Sequence, residues 1–345
     1  MNSLNKILLI YTGGTIGMQK RPETDILIPF DFDTIEEQIP ELKLINKQID
    51  TISFEQPIDS SNTRIDHWKK IAKIIQENYY DYDGFVILHG SDTMAYTASA
   101  LSFMLENLSK PVILTGSQLP IGDLRTDAKE NIITSIEIAG SYKDGKPIVP
   151  EVAIYFEFKL LRGNRTTKLS TDEFNAFESP NYNILAKSGV NLRFYNHRIL
   201  PVSNGIFNVH YEICNDIIVY KIHPGITEEQ FNYILNTPKL KAVILETYGA
   251  GNALTNQWFL KIIENAIKQK GIYIINKSQC LRGSISPYKY ETGKKMMEKG
   301  VLDAKDMTLE AVLTKIMYLL GKKLTKKSFI KAFERPLKGE MMPDY

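Results

Sequence analysis

The chain has 345 residues, 43% of them hydrophobic, which is enough for two domains each with its own core and excludes a disordered or fibrous class. Lys and Arg number 42 against 40 Asp and Glu, a balance that argues against nucleic acid or an anionic membrane as partner and points to a small-molecule ligand. Two cysteines, Cys214 and Cys280, give no disulfide framework; with no signal-peptide pattern and no run near the roughly 18 apolar residues that span a bilayer, the expected compartment is the cytoplasm.

Residues 6–10 read as a buried strand that runs straight into Tyr11-Thr12-Gly13-Gly14-Thr15-Ile16-Gly17. Two glycines permit dihedrals that other residues avoid and let a small ligand approach the main chain. In open α/β sheets ligands bind beyond the carboxyl ends of strands, so Thr12 or Thr15 would face the crevice. A plain Gly-Gly turn or a phosphate cradle is the alternative on this stretch alone. Residues 18–25 form a polar loop, either a lid or an ordinary surface connection.

A strand over 49–54 leads to Asp59-Ser60-Ser61-Asn62, a cluster suited to a ligand or to helix capping, and Asp66 is the expected N-cap of a helix carrying Trp68, Ile71, Ile74 and Ile75. The strand over 84–88 ends in His89-Gly90-Ser91-Asp92-Thr93 before a helix over 94–105, whose N-terminus suits a carboxylate ligand. Further strands are expected over 111–115 and 152–156, the second leading to a polar loop that contains Lys168. Strand, polar turn and helix recur, as in a mainly parallel sheet covered on both faces. Residues 193–214 lack periodicity and read as a linker between an N-terminal catalytic domain, 1–192, and a C-terminal α/β domain, 215–345. The latter shows strands over 217–222, 242–246 and 272–276, helices near 227–235 and 255–269, a Thr308-capped helix ending at Gly321, and a Lys-rich end read as a solvated helix face.

Two Thr hydroxyls at strand ends, an Asp beside one of them and a Lys in a polar loop suggest nucleophilic catalysis, because Thr attacks only when a base takes its proton. His67, His89, His197, His210 and His223 lack metal-ligand spacing, and no cofactor is expected. Thr12-Gly13-Gly14-Thr15-Ile16-Gly17 and His89-Gly90-Ser91-Asp92-Thr93-Met94 resemble the two signature motifs of the bacterial-type L-asparaginase family. Residues 162–168 and 248–253 resemble its cytoplasmic type I branch, so the likeness covers nearly the whole chain.

The resemblance implies a larger flavodoxin-like N-terminal domain, a linker and a smaller α/β domain. It also implies hydrolysis of L-asparagine to L-aspartate and ammonia through an acyl-enzyme on Thr15. Thr93, Lys168 and Asp92 are then the second hydroxyl, the base and its orienting carboxylate. Asp59, Ser60 and Ser61, with Asp92 and the backbone at Thr93, would meet the substrate's charged end. Backbone N–H groups near Thr93 or Ser117 would hold the oxyanion. Relatives are dimers or tetramers, and Trp258 with the apolar helices offers an interface, so a homodimer or homotetramer is expected. Many relatives carry a Tyr in the lid; residues 18–30 contain none, and Leu27 takes roughly that place. Cytoplasmic relatives bind a second asparagine at an effector site, which maps here to Thr167, Asn252 and Cys280, with Glu246 where the regulated relative has an Arg. Two other readings compete: an asparagine sensor without turnover, and a tRNA-dependent amidotransferase subunit, which would carry an added N-terminal domain.

Overall fold

The computed structural model describes residues 5–20, 27–29, 35, 39–286 and 291–343. The chain divides into two compact units, Met1–Tyr211 and Glu212–Tyr345.

The first unit is built on an eight-stranded sheet. Its parallel part consists of β1 (Lys6–Gly13), β2 (Gln48–Ile58), β3 (Gly84–Leu88), β4 (Val112–Thr115) and β5 (Val152–Phe156), in the order β2-β1-β3-β4-β5. This is the flavodoxin-like order. Strands β3, β4 and β5 are buried throughout and β1 all but its first residue, as apolar runs covered on both faces must be. Edge strand β2 is mostly exposed or half-buried. Antiparallel strands β6 (Lys159–Arg162), β7 (Ala186–Lys187) and β8 (Arg193–Phe194) extend the other edge. Between β2 and β3 the chain crosses from one side of β1 to the other. The carboxyl ends of β1 and β3 therefore flank the switch point, where a crevice opens in such sheets.

Helices α1 (Ile65–Glu77), α2 (Met94–Met104) and α3 (Ala128–Ala139) cover this sheet. Helix α1 buries Trp68, Ile71, Ala72 and Ile75, whereas α2 is buried nearly all round. The N-cap of α1 is Arg64 and not Asp66. His67 Nδ1 accepts from the Arg64 N–H at 3.1 Å, so the ring supplies the capping contact and Asp66 falls in the first turn, still beside the positive end of the helix.

The second unit has a four-stranded parallel sheet of β9 (Ile217–Lys221), β10 (Ala242–Thr247), β11 (Tyr273–Ser278) and β12 (Leu302–Asp303). Its helices are α4 (Glu228–Leu235), α5 (Gln257–Lys268), α6 (Glu291–Glu298), α7 (Leu309–Gly321) and α8 (Lys326–Phe333). Thr308 caps α7 as expected, its side chain accepting from Ala311 N at 3.2 Å. Helix α8 buries Phe329 and Phe333 and leaves Lys326, Lys327 and Lys331 exposed, the solvated face read from sequence. Beneath it, Lys315 and Glu340, both fully buried, pair at 2.6 Å. Among the described residues no helix is long and apolar enough to cross a membrane.

Candidate active site

Strand β1 ends at the glycine pair. Gly13 has φ +133° and Gly14 φ +88°, values L side chains rarely adopt, so the chain reverses here only because both are glycine. Space enforces the same choice. A Cβ on Gly13 would collide with the Ile58 backbone, one on Gly14 with the Gly90 backbone, and one on Gly90 would lie 2.6 Å from the Ser60 side chain. The turns after β1 and β3 thus meet through bare main chain, with the Ser60 side chain of the loop after β2 packed directly on Gly90.

Thr15 opens a short 3-10 turn, Thr15–Gly17, and is half-buried. Among the described residues its hydroxyl has no hydrogen-bond partner, whereas the Thr12 hydroxyl, 2% exposed, donates to Leu88 O at 2.9 Å. Of the two threonines read from the motif, Thr15 is the one left for chemistry. Tyr11 packs under the turn and donates to Gly17 O at 3.1 Å. Burial pushes the Tyr11 phenol up to about 12, so it stays protonated and acts as a donor. In the segment after the turn, Met18–Lys20 pairs antiparallel with Leu27–Pro29, so Leu27 lies opposite Lys20. Residues 21–26 and 30 of this segment, read as a lid or a surface loop, lie outside what is described, as does the Leu27 side chain.

After β2, Asp59 caps the turn Ser60–Asn62 by accepting from Ser61 N at 3.0 Å. Ser60 is buried; Asp59 and Ser61 are exposed. After β3, residues Ser91–Thr93 form a single 3-10 turn that feeds directly into α2. The loop after β4 is held by Asp127, whose carboxylate accepts from Gln118 N and Leu119 N at 3.0 and 3.1 Å. Ser117 lies in it, 3% exposed.

Lys168 reaches this cluster from the short strand Thr167–Lys168, which pairs with Phe177–Glu178. Its ammonium donates to Asp92 Oδ1 at 2.8 Å and to Ser91 Oγ at 2.9 Å. The expected partnership of Lys168 with Asp92 is therefore formed, but the hydroxyl in its reach is that of Ser91. Thr93 turns the other way: its Oγ1 donates to Ser60 O at 2.7 Å and lies 3.0 Å from Thr63 Oγ1. Sequence reading fixed on the threonine of His-Gly-Ser-Asp-Thr and passed over the serine. The available signal was position, since Ser91 directly follows the glycine that packs on Gly14.

The positions matched to an effector site do not all fall in one unit. Thr167, buried, is in the first; Glu246, Asn252 and Cys280 are in the second, at or just beyond the carboxyl ends of β10 and β11. Asn252 bridges to Tyr248, and Cys280 N donates to Ser278 Oγ at 3.0 Å. Burial pulls the Lys277 ammonium below its usual range, opposed by Glu246, Glu310 and Cys280 nearby. Among the described residues no group of His, Cys, Asp and Glu is arranged to hold a metal ion.

With this geometry established, comparison with known proteins is specific. The family model described as Asparaginase, N-terminal, matches residues 6–200, and that described as Glutaminase/Asparaginase C-terminal domain matches residues 216–333. The chain is 42% identical to L-asparaginase 1 of Escherichia coli K12 over 339 residues, covering 98% of each. It superposes on the crystal structure of L-asparaginase I from Vibrio cholerae with a TM-score of 0.91 at 38% identity, covering 99% of this chain and all of that one. The thermostable L-asparaginase from Thermococcus kodakarensis gives a TM-score of 0.89 at 30% identity, over 98% of this chain and all of that one. The glycine junction of these loops, the Lys168 cluster and these full-length matches lead to one conclusion: the chain belongs to the asparaginase family.

Proposed function

We propose that this protein hydrolyses L-asparagine to L-aspartate and ammonia, with Thr15 as nucleophile and with Ser91, Asp92 and Lys168 as the unit that moves its proton. The observation that carries this reading is the Lys168 Nζ held by Ser91 and Asp92 at the end of β3, one residue from the Gly14–Gly90 contact that adjoins Thr15. Thr15 Oγ attacks the side-chain amide carbon while its proton passes through the Ser91 hydroxyl to Lys168, which accepts it as the free amine. Collapse of the tetrahedral intermediate breaks the C–N bond, and that proton leaves with the departing ammonia. Water then attacks the Thr15 ester, releases aspartate and returns a proton to Thr15 Oγ. Backbone N–H groups near Thr93 or Ser117 meet the developing oxyanion, a contribution on the order of 10²–10³ in rate. Thr93 takes a supporting role, tying its turn to the Ser60 loop. Ammonia release from asparagine and glutamine, measured side by side, tests the reading. No release from either would remove it, and preference for glutamine would reassign the substrate.

Asp59, Ser60 and Ser61 with Asp92 are assigned to the charged end of the substrate. Ser60→Ala is expected to raise KM on the order of 10- to 100-fold with kcat nearly unchanged, since losing a hydrogen bond to a charged group costs about 1.5–3 kcal/mol. Steady-state kinetics decide this, and a change confined to kcat would count against the assignment.

Glu246 presents a carboxylate where an effector's carboxylate would need a cation, so we place no working asparagine effector site here. Rate against asparagine concentration is expected to be hyperbolic with a Hill coefficient near one. A sigmoidal curve abolished by Thr167→Ala would show that the site survives. The enzyme is placed in the cytoplasm as a homodimer or homotetramer, for which the absence of a disulfide framework in the sequence and the half-buried Trp258 are the supporting features. Residues 193–214 are assigned as the interdomain linker.

A further inference from the structure

A chain of buried polar groups runs behind the proposed catalytic turn and takes no part in the chemistry described so far. The indole N–H of Trp68 on α1 lies 3.0 Å from Thr97 Oγ1 on α2. Thr97 Oγ1 lies 3.0 Å from His89 Nε2, and His89 Nδ1 lies 2.7 Å from Gly90 O. All three side chains are buried: Trp68 is 7% exposed, Thr97 0% and His89 3%.

The direction of this chain follows from its outer member. An indole nitrogen can only donate, so Thr97 Oγ1 accepts from Trp68 and sends its own proton to His89 Nε2. Nε2 is then the acceptor, the ring proton sits on Nδ1, and that proton is donated to Gly90 O. Every group is satisfied in one tautomer, and reversing any member would leave a buried donor or acceptor unpaired. Burial also pulls His89 down to about 4, so the ring is neutral near pH 7 and keeps a lone pair on Nε2. The His89 main chain is held as well, its N–H donating to Thr115 O at 2.9 Å.

The carbonyl gripped by His89 belongs to the peptide that begins Ser91. We propose that His89, locked by Thr97 and Trp68, is a positioning residue: it fixes the Gly90–Ser91 peptide so that Ser91 Oγ and Asp92 stand where Lys168 reaches them. Gly90 also packs on Gly14, so the same grip sets the distance between this turn and the Thr15 turn. The inference rests on the catalytic reading above for its kinetic consequence but not for its geometry.

Thr97→Val and Thr97→Ser, with ¹⁵N NMR of the imidazole in the wild-type protein, form the test. In the wild type the His89 proton should be found on Nδ1 at neutral pH. Thr97→Val removes the donor to Nε2 and frees the ring to reorient; kcat should fall on the order of tenfold with KM within about twofold, since small misplacements of reacting groups cost that much or more. Thr97→Ser restores the hydroxyl and should restore kcat. A ring protonated on Nε2 in the wild type would overturn the proposal whether or not the protein hydrolyses asparagine and whether or not Thr97→Val folds. So would a folded Thr97→Val with wild-type kcat, a loss expressed in KM alone, or a serine variant as impaired as the valine. Absence of any asparaginase activity would instead remove the proposed function and leave the tautomer result standing.

Discussion

Thr15→Val is expected to lower asparagine turnover by on the order of 10⁴–10⁶-fold, the scale of losing a member of a group of residues that act as one unit. The fold should survive. Valine keeps the branched shape, and the hydroxyl it deletes has no hydrogen-bond partner among the described residues, so no buried group is stranded. The thermal midpoint should therefore stay close to wild type while activity disappears. Single-turnover experiments add a second check: wild type should form a covalent intermediate with substrate detectable by mass spectrometry after acid quench, and Thr15→Val should not. Near wild-type turnover in a folded Thr15→Val protein would remove the nucleophile assignment.

Lys168→Met should be comparably severe, again through rate and not stability. The Lys168 side chain is 16% exposed but its partner Asp92 is 61% exposed, and an ion pair with one end in water contributes at most about 1 kcal/mol to folding. The informative comparison is between two hydroxyls. Ser91→Ala is expected to cost about 10²–10³ in kcat, because it cuts the contact through which Lys168 reaches the reacting hydroxyl. Thr93→Val should cost roughly tenfold at most, since the Thr93 hydroxyl holds Ser60 O and makes no hydrogen bond to Lys168. Combining Lys168→Met with Ser91→Ala should add little to either alone. If Thr93→Val proves the more damaging of the two, Thr93 regains the role the motif suggested.

Much of this was legible in the sequence because the signals were local. The buried strands of the parallel sheet announce themselves as uninterrupted apolar runs, and each ends at a polar turn that hydropathy marks sharply. Elements carried by two to four residues of mixed character were not legible: β6 to β8 pair edge to edge and leave no period to read. Strand β11 also runs past the expected end at Asn276 to Ser278, because Lys277 and Ser278 are polar yet buried, Lys277 donating to Ser278 O at 2.7 Å. In the site, residue types at the strand ends were found, whereas the hydroxyl that Lys168 reaches is that of Ser91 and not that of Thr93. A motif fixes which hydroxyls are near a lysine, whereas rotamer and turn geometry decide which of them faces it. The His89 chain was invisible for a similar reason, since its three members come from separate elements and each alone reads as an ordinary core residue.

The junction where the three loops meet is built on glycine main chain at Gly13, Gly14 and Gly90, with no room for a larger residue at any of them. Such a junction offers evolution nothing to adjust: every substitution there forces the loops apart before it can alter the shape of a pocket. Divergence in what this scaffold accepts must then accumulate at the rim, in exposed side chains such as Asp59 and Ser61 that face the substrate's charged end in the proposed reading. Laboratory selection for a new amide would therefore be expected to leave these glycines untouched and to collect its changes around the entrance, so that the reaction is inherited while the substrate is negotiated.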